Sequence, residues 1–216
     1  MVNVPERAGR PIPQRTRLLG RPRADEGRDT RADIMRVARE LFAARGYAGT
    51  SVADISARAE VTVPVIYQRF GNKAGLFVAI ADDVYDEGLA MLRDALATAE
   101  TFDEAVEAAL GQMVKMYRID RWVGAMVVTV LVEAERDDEL GKALRPTLRR
   151  LREYCDEVAE LAPPDLAADE RGRRDLSRAL VAMLSGVMIS SVLLHRAPEY
   201  ERMAAALTRV LTTQRA

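Results

Sequence analysis

The sequence predicts an all-α protein in which a small N-terminal helical domain precedes a larger C-terminal helical bundle. Ala, Leu, Arg and Glu dominate the composition, and aromatic residues make up only 5% of the 216 residues, which favours helices over strands. From Ile34 onward, apolar residues recur at the spacing of one helix face. Capping and breaking residues such as Gly46, Thr101 and Pro198 separate these apolar segments.

The composition describes a soluble chain with enough apolar residues for a packed core. Hydrophobic residues make up 49% and charged residues 30% of it. A single cysteine, Cys155, excludes an intrachain disulfide and agrees with a reducing compartment. No signal peptide is visible, and the longest apolar runs, 122–132 and 179–194, are shorter than the ~18 residues of a membrane span. We therefore expect a cytoplasmic protein with no membrane contact.

Charge is distributed unevenly along the chain. Residues 1–28 carry seven arginines against three acids, residues 29–77 carry a small positive excess, and the remainder carries a net charge of −7. A basic front on an acidic body predicts that any polyanion binds at the N-terminal end. With four prolines and little apolar periodicity, residues 1–28 are predicted to be a disordered basic tail. A solvated extension is the favoured interpretation of this tail, and an arm that follows DNA phosphates is the alternative.

Residues 29–75 are predicted to form three short helices. Thr30 can cap the first, Gly46 can end it, and its apolar face consists of Ile34, Val37, Ala38, Leu41 and Phe42. Ser51 is the predicted cap of the second helix, with Asp54 three residues later.

The third helix begins in the stretch VTVPVIYQRF (61–70). Thr62 is a plausible cap, and Pro64 then falls in the first turn, where its missing N–H has no intrahelical partner to lose. Ile66 and Phe70 are expected to face the core, and Pro64, Val65 and Gln68 the solvent. A tight turn between the second and third helices predicts a helix-turn-helix unit, whose second helix enters the DNA major groove with its N-terminal end.

Residues 31–77, RADIMRVARELFAARGYAGTSVADISARAEVTVPVIYQRFGNKAGLF, closely resemble the DNA-binding region of TetR-family transcription regulators. The shared features are a first helix ending in LFAARGY, the segment TSVADIS, and the pattern V-T-x-x-x-I-Y-x-x-F-x-x-K-x-x-L. The resemblance implies base or phosphate contacts from the first turn and from Gln68, and phosphate contacts from the remaining positions. The implied DNA-binding residues are Thr50, Ser51, Thr62, Val63, Pro64, Val65, Tyr67, Gln68 and Lys73.

This chain departs from the family pattern at two places. Glu60 occupies a turn position that usually carries glycine, and the first turn of the third helix is apolar where hydrogen-bonding residues are common. Apolar groups can contact thymine methyls, and an amide suits adenine. We therefore expect methyl contacts from Val63, Pro64 and Val65 together with an adenine contact from Gln68.

Residues 76–216 are predicted to form an effector-binding and dimerisation domain. A long helix over 74–100, roughly 40 Å at 1.5 Å per residue, would connect the two domains. Helices are then expected from Thr101, over 121–135, over 137–161 with an irregularity at Pro146, over 170–195, and from Pro198 to about residue 213.

The segment 179–194 is apolar almost all round, so it must be covered on both sides. We expect a two-fold homodimer built on this helix and the last one, which is also the dimer contact that the resemblance implies. A fully intramolecular core helix is the alternative. The predicted interface residues are Ser185, Gly186, Ile189, Ser190 and Leu193.

The resemblance also implies an effector cavity among the central helices, which the sequence alone does not locate. Methionine and aromatic side chains suit adaptable apolar pockets, although each also suits an ordinary core. The candidate ligand residues are Tyr85, Met113, Tyr117, Trp122, Met126, Tyr154 and Met183, and the expected effector is a small, mainly hydrophobic molecule.

Taken together, the residues and the resemblance predict a dimeric regulator that binds a palindromic double-stranded operator, most often a repressor in this family, and that an effector releases. An effector-independent architectural DNA-binding protein is the alternative. An all-helical enzyme is disfavoured, since the chain has one histidine, His195, and no HExxH motif, Cys/His cluster, phosphate-binding loop or nucleophile elbow. No catalytic residue, metal site or cofactor is predicted.

Overall fold

The computed structural model describes residues 29–212, and within that range the chain forms nine α-helices and no strand, which confirms the all-α class. The predicted tail over residues 1–28 lies outside the described residues. The helices are α1 Thr30–Arg45, α2 Val52–Ala59, α3 Val63–Phe70, α4 Lys73–Leu96, α5 Phe102–Ile119, α6 Trp122–Arg136, α7 Asp138–Ala159, α8 Glu170–Leu193 and α9 Ala197–Thr212.

Local caps fix most of the helix starts. Ser51 and Asp54 form a reciprocal capping box at α2, and Thr101 and Glu104 form another at α5. The expected cap of α1 at Thr30 is wrong by one residue: the Asp29 carboxylate accepts hydrogen bonds from the N–H groups of the first turn, and Thr30 is already helical and buried. A carboxylate there also complements the helix dipole.

The first three helices enclose a small core that α4 completes. Ile34, Ile55 and Ile66 are fully buried at their centre. The ring of Phe77, at the start of α4, packs edge-on against Phe42 with ring centroids 5.1 Å apart. The N-terminal domain is therefore not closed without residues of α4.

Helix α4 then continues into the larger domain. Its 24 residues contribute Leu76 and Phe77 to the N-terminal core, and Val84 and Leu92 to the core of the bundle. The predicted boundary between residues 75 and 76 lies in the first turn of this helix. One continuous helix thus connects the two domains.

The bundle consists of α4 to α9. α7 packs on α4 and α8, α5 packs on α4 and α9, and α6 packs on α8, α7 and also α1. The irregularity expected at Pro146 does not interrupt α7, which runs from Asp138 to Ala159. Cys155 is buried, and burial raises the pKa of its thiol to about 12, so the side chain packs as an apolar group.

Helix α8 agrees with the helix expected over 170–195 and extends beyond the apolar run 179–194 at its N-terminal end. Within Glu170–Leu193 an 18-residue window reaches a mean hydropathy of 1.8, so this helix is long and apolar enough to cross a membrane by those two criteria. The apolar run 179–194 is itself shorter than a span, and it is the longer helix around it that meets the two criteria. Only 28% of the window is buried within the chain, which leaves an apolar face on the outside of the bundle.

Gly124 allows α6 to lie close against α8. A Cβ atom at this position would collide with the Ser191 hydroxyl and lie 3.0 Å from the carbonyl oxygen of Met188. In contrast, a Cβ at Gly111 on α5 would meet nothing within 4 Å. Close helix packing therefore requires a glycine at position 124 but not at position 111.

We predict opposite effects of alanine at these two glycines. Gly124→Ala forces α6 and α8 apart and lowers the free energy of unfolding by about 1–3 kcal/mol. Gly111→Ala removes only backbone freedom and raises the free energy of unfolding by roughly 0.5–1 kcal/mol. Urea unfolding followed by circular dichroism measures both, and equal stabilisation by the two variants would contradict the close α6–α8 contact.

Candidate DNA-binding surface and central cavity

The turn between α2 and α3 is held by Ser56 and by a left-handed residue. Glu60 has φ +56°, the single positive φ of a non-glycine residue between positions 29 and 212. Its N–H and that of Val61 both donate to the Ser56 carbonyl, and the Ser56 hydroxyl donates to the Val61 carbonyl at 2.6 Å. The turn requires the conformation that glycine adopts most easily, which explains why glycine is usual at this position.

Helix α3 presents a polar face outward from this turn. Thr62, Pro64 and Gln68 are exposed, Tyr67 is 46% exposed, and Ile66 anchors the helix in the core. Val65 was expected to face the solvent, but its side chain is only partly exposed. Both it and Val63 are half-buried against the core.

The last turn of α3 offers one more cation. Arg69 is exposed there and lies outside the set of DNA-binding residues that the resemblance implies. Its positive charge on the same helix as Tyr67 and Gln68 makes it a further candidate for a phosphate contact.

Thr50 and Ser51 are less available than the sequence suggested. Thr50 is buried, its hydroxyl lies within hydrogen-bond distance of the Leu41 and Gly46 carbonyls, and its N–H donates to the Tyr47 carbonyl. This corrects the expectation that Thr50 offers a donor to phosphate. Ser51 is exposed, but its hydroxyl and its N–H both donate to the Asp54 carboxylate.

Lys73 lies at the junction of the two domains. Its Nζ is 4.2 Å from the centre of the Tyr47 ring, which is a cation–π contact. Burial lowers the pKa of Lys73, and attraction to Glu133 of α6 acts in the opposite direction. The Lys73 ammonium, which is the candidate phosphate ligand, is therefore already positioned between the N-terminal domain and the bundle.

An ion-pair cluster, here called the Arg39 bridge, ties α1 to the bundle. The Arg39 guanidinium lies 2.7 Å from the Asp120 carboxylate in the α5–α6 turn and 3.5 Å from Glu87 of α4, and its side chain is only 16% exposed. The other carboxylate oxygen of Asp120 accepts the Trp122 N–H at 2.8 Å. Asp120 thereby links the first turn of α6 to the N-terminal domain.

A small apolar cavity of about 60 Å³ lies within the bundle. Five of its lining residues come from α4, and the others from α5, α6, α7 and α8. The lining consists of Val84, Tyr85, Gly88, Leu89, Leu92, Met113, Met116, Val123, Val127, Leu151, Leu184, Ser185 and Met188.

Two of the seven expected ligand residues, Tyr85 and Met113, line this cavity. The others lie elsewhere. Tyr117 donates its hydroxyl to the Leu194 carbonyl, and Trp122 lines a surface groove beside the Arg39 bridge. Met126 is buried outside the lining, and Tyr154 and Met183 line a separate cavity of about 10 Å³.

The residues that sequence reasoning missed at the cavity are mostly aliphatic. Leu89, Val127 and Met188 are examples, and helical periodicity marks them as core without separating a cavity wall from a filled core. Their assignment required the three-dimensional packing of five helices.

The expected dimer residues divide into two groups. Gly186, Ile189 and Leu193 are exposed on α8, whereas Ser185 faces the cavity and Ser190 is half-buried with its hydroxyl on the Gly186 carbonyl. Other exposed apolar side chains extend this face, which we call the α8–α9 face. They are Val192 of α8 and Val210 of α9.

Comparisons with known proteins agree with this geometry. Residues 34–80 match the family model for bacterial regulatory proteins of the tetR family. The HTH-type transcriptional regulator TtgR of Pseudomonas putida is 38% identical over 92 residues, which are 43% of this chain and 41% of TtgR. The HTH-type transcriptional activator FasR of Mycolicibacterium smegmatis is 30% identical over 110 residues, 51% of this chain and 49% of FasR.

The likeness in fold extends further than the likeness in sequence. The structure of Salmonella enterica GusR superimposes with a TM-score of 0.67 over 88% of this chain and 98% of GusR, at 23% identity. By sequence, however, the chain spans less than half the length of TtgR or FasR. The predicted resemblance to TetR-family regulators is confirmed over residues 34–80, and the fold of the chain, with its helical C-terminal domain, is similar to that of GusR.

We predict that the strain at Glu60 can be relieved. Glu60→Gly raises the free energy of unfolding by up to about 1 kcal/mol, because glycine adopts the left-handed conformation without steric cost. Glu60→Ala removes the carboxylate but keeps the strain, so it is the matched control. Equal unfolding midpoints for the two variants would show that the carboxylate, and not the backbone, determines stability at this turn.

Proposed function

We propose that this chain is a cytoplasmic, sequence-specific transcription regulator that binds a palindromic operator as a homodimer and releases it when a small, mainly hydrophobic effector binds. The observation that carries the proposal is the exposed polar face of α3 behind a rigid turn. That is the geometry by which a helix-turn-helix protein places a recognition helix in the major groove.

Within this proposal the exposed residues of α3 divide by chemistry. The Gln68 amide can bond an adenine edge in the major groove, and exposed Pro64 can contact a thymine methyl. The Tyr67 hydroxyl and the Lys73 ammonium suit phosphate, which fixes register without reading sequence. Because Val63 and Val65 are half-buried, we assign methyl recognition mainly to Pro64.

The α8–α9 face supports a two-fold dimer. Its exposed apolar side chains lie on the two helices that the family resemblance implies for dimerisation, and a Cβ at Gly186 would meet nothing within the protomer. Burying Ile189, Val192 and Leu193 against a second copy removes an apolar patch from water. A dimer also places two α3 helices for successive major grooves, roughly 34–36 Å apart.

The small size of the cavity supports effector control, because a ligand that enters it must move the surrounding helices. At about 60 Å³ it is far below the ~300–1,000 Å³ of a typical ligand pocket, so binding must displace its walls. Helix α4 forms much of the wall and also completes the N-terminal core. Expansion of the cavity therefore moves the DNA-binding domain, either directly or through the Arg39 bridge.

Repression is proposed as the output because most TetR-family members repress. Activation of transcription is the alternative output, and FasR is named as an activator. The alternative to effector control is an architectural DNA-binding protein whose affinity depends on salt and hardly on sequence. The net charge of −7 over residues 78–216 disfavours such general binding.

Selection of bound duplexes from random DNA, at about physiological salt, tests the proposal. A palindrome with half-sites about one helical turn apart supports a dimeric, sequence-specific regulator. Weak enrichment without symmetry would instead favour the architectural alternative.

We predict that variants on the DNA-binding surface distinguish base recognition from phosphate binding. Gln68→Ala relaxes preference at one base pair, whereas Tyr67→Phe and Lys73→Ala weaken binding to all sequences. Lys73→Ala also reduces the salt slope of binding by about one counterion, and Lys73→Arg retains it. Fluorescence anisotropy across a salt series measures these effects. A uniform loss of affinity in Gln68→Ala would contradict base reading by that residue.

We also predict that a charge on the α8–α9 face disrupts the dimer. Ile189→Glu raises the dimer dissociation constant at least about tenfold, because it buries a carboxylate in an apolar interface. Val132→Glu on α6 is the control, since Val132 is 44% exposed and Ile189 is 41% exposed. Analytical ultracentrifugation distinguishes the two variants. An unchanged dissociation constant for Ile189→Glu would place the interface elsewhere.

A further inference from the structure

The central cavity contains one buried, unsatisfied hydroxyl in a mostly apolar wall. Among its lining residues within positions 29–212, only Tyr85 and Ser185 have polar side chains. Tyr85 is 6% exposed, and its hydroxyl has no hydrogen-bond partner among the described residues. Buried hydroxyls are normally paired, and an unpaired one costs free energy that a suitable ligand can recover.

The lining of this cavity also favours an uncharged ligand. No Asp, Glu, Lys, Arg or His lines the cavity among the residues that the structure describes. A charged ligand would lose its hydration without gaining a counter-ion, which is far more costly than burial of a neutral polar group. Burial also raises the pKa of Tyr85 well above its ordinary value, so the phenol remains a neutral donor.

A second cavity of about 50 Å³ adjoins the first one. The two share Val84, Gly88, Met116 and Val123, and the second is also lined by the exposed side chain of Ile119 and by the three residues of the Arg39 bridge. A Cβ at Gly88 would lie 3.5 Å from the Met116 sulfur. Because methionine is flexible, rotation of Met116 beside the bare Gly88 backbone can join the two spaces.

We propose that the cavity binds an uncharged, mainly apolar molecule with one oxygen acceptor, which passes between Gly88 and Met116 and accepts a hydrogen bond from the Tyr85 hydroxyl. This inference rests on the proposed function, since it specifies the effector's chemistry. Ligand specificity then comes mainly from the Tyr85 donor, and shape selection is weak because the methionines adapt.

Three small probes of similar shape test the proposal. Acetophenone has a carbonyl acceptor, α-methylstyrene replaces that oxygen by a CH₂ group, and benzoate carries a charge. Binding is measured through the NMR signals of ¹³C-methyl-labelled methionines, of which Met113, Met116 and Met188 line the cavity. We expect acetophenone to bind at least about fivefold more tightly than α-methylstyrene, and benzoate to leave these signals unchanged.

Two phenylalanine variants provide the matched comparison. Tyr85→Phe brings the affinity ratio of acetophenone to α-methylstyrene to about one and leaves α-methylstyrene binding intact. Tyr154→Phe removes another buried, unpartnered hydroxyl, but one that lines a different cavity, so it keeps the wild-type ratio. A selective loss in Tyr85→Phe identifies the donor, since both variants remove the same chemical group.

Each other outcome overturns a defined part of the proposal. Equal affinities of the two neutral probes in the wild-type protein would remove the Tyr85 anchor and leave an apolar cavity. Benzoate binding at the cavity methionines would contradict the requirement for a neutral ligand. No binding by any probe would overturn the cavity as the site. The duplex selection described above is independent of all three results, so the DNA-binding proposal is judged separately.

Discussion

The structure depends on one helix that belongs to two hydrophobic cores. The first turns of α4 supply Leu76 and Phe77 to the N-terminal domain, and the remainder supplies Val84, Leu89 and Leu92 to the bundle. A continuous α-helix transmits displacement along its length because its backbone hydrogen bonds resist local change. Under the proposed function, a shift of the bundle wall would change the position of α3, which packs on α4.

Polar contacts fix the orientation of this helix on two sides. The Arg39 bridge connects it to α1 and to the α5–α6 turn, while Arg150 of α7 lies 2.7 Å from the Asp82 carboxylate on α4. These pairs are partly screened by solvent, so each contributes modestly to stability. The larger effect of the Arg39 bridge is geometric, since it connects α1 of the N-terminal domain to the bundle.

The sequence predicted features that depend on neighbouring residues and missed those that depend on tertiary packing. The caps at Ser51 and Thr101 and the position of Pro64 in the first turn of α3 follow from local backbone chemistry and are present in the structure. The left-handed residue at Glu60 was marked only as a departure from a glycine. Thr50 has the sequence position of a surface donor, but its hydroxyl is buried against the carbonyls of Leu41 in α1 and Gly46 in the following turn, which the sequence alone does not reveal. Likewise, Tyr85 and Tyr154 are both buried tyrosines, and only the packing of five helices places the first of them at the central cavity.

The central claim is that contacts remote from DNA determine how the DNA-binding domain is held. It is tested most directly by the operator affinity of Asp120→Asn, which keeps an acceptor for the Trp122 N–H but removes the charge that pairs with Arg39. Glu157→Gln is the control, because it removes the charge of the Arg93–Glu157 pair between α4 and α7. The account predicts that Asp120→Asn weakens operator binding about fivefold or more, with Glu157→Gln unchanged. Wild-type affinity in Asp120→Asn, with its fold intact, would contradict the coupling.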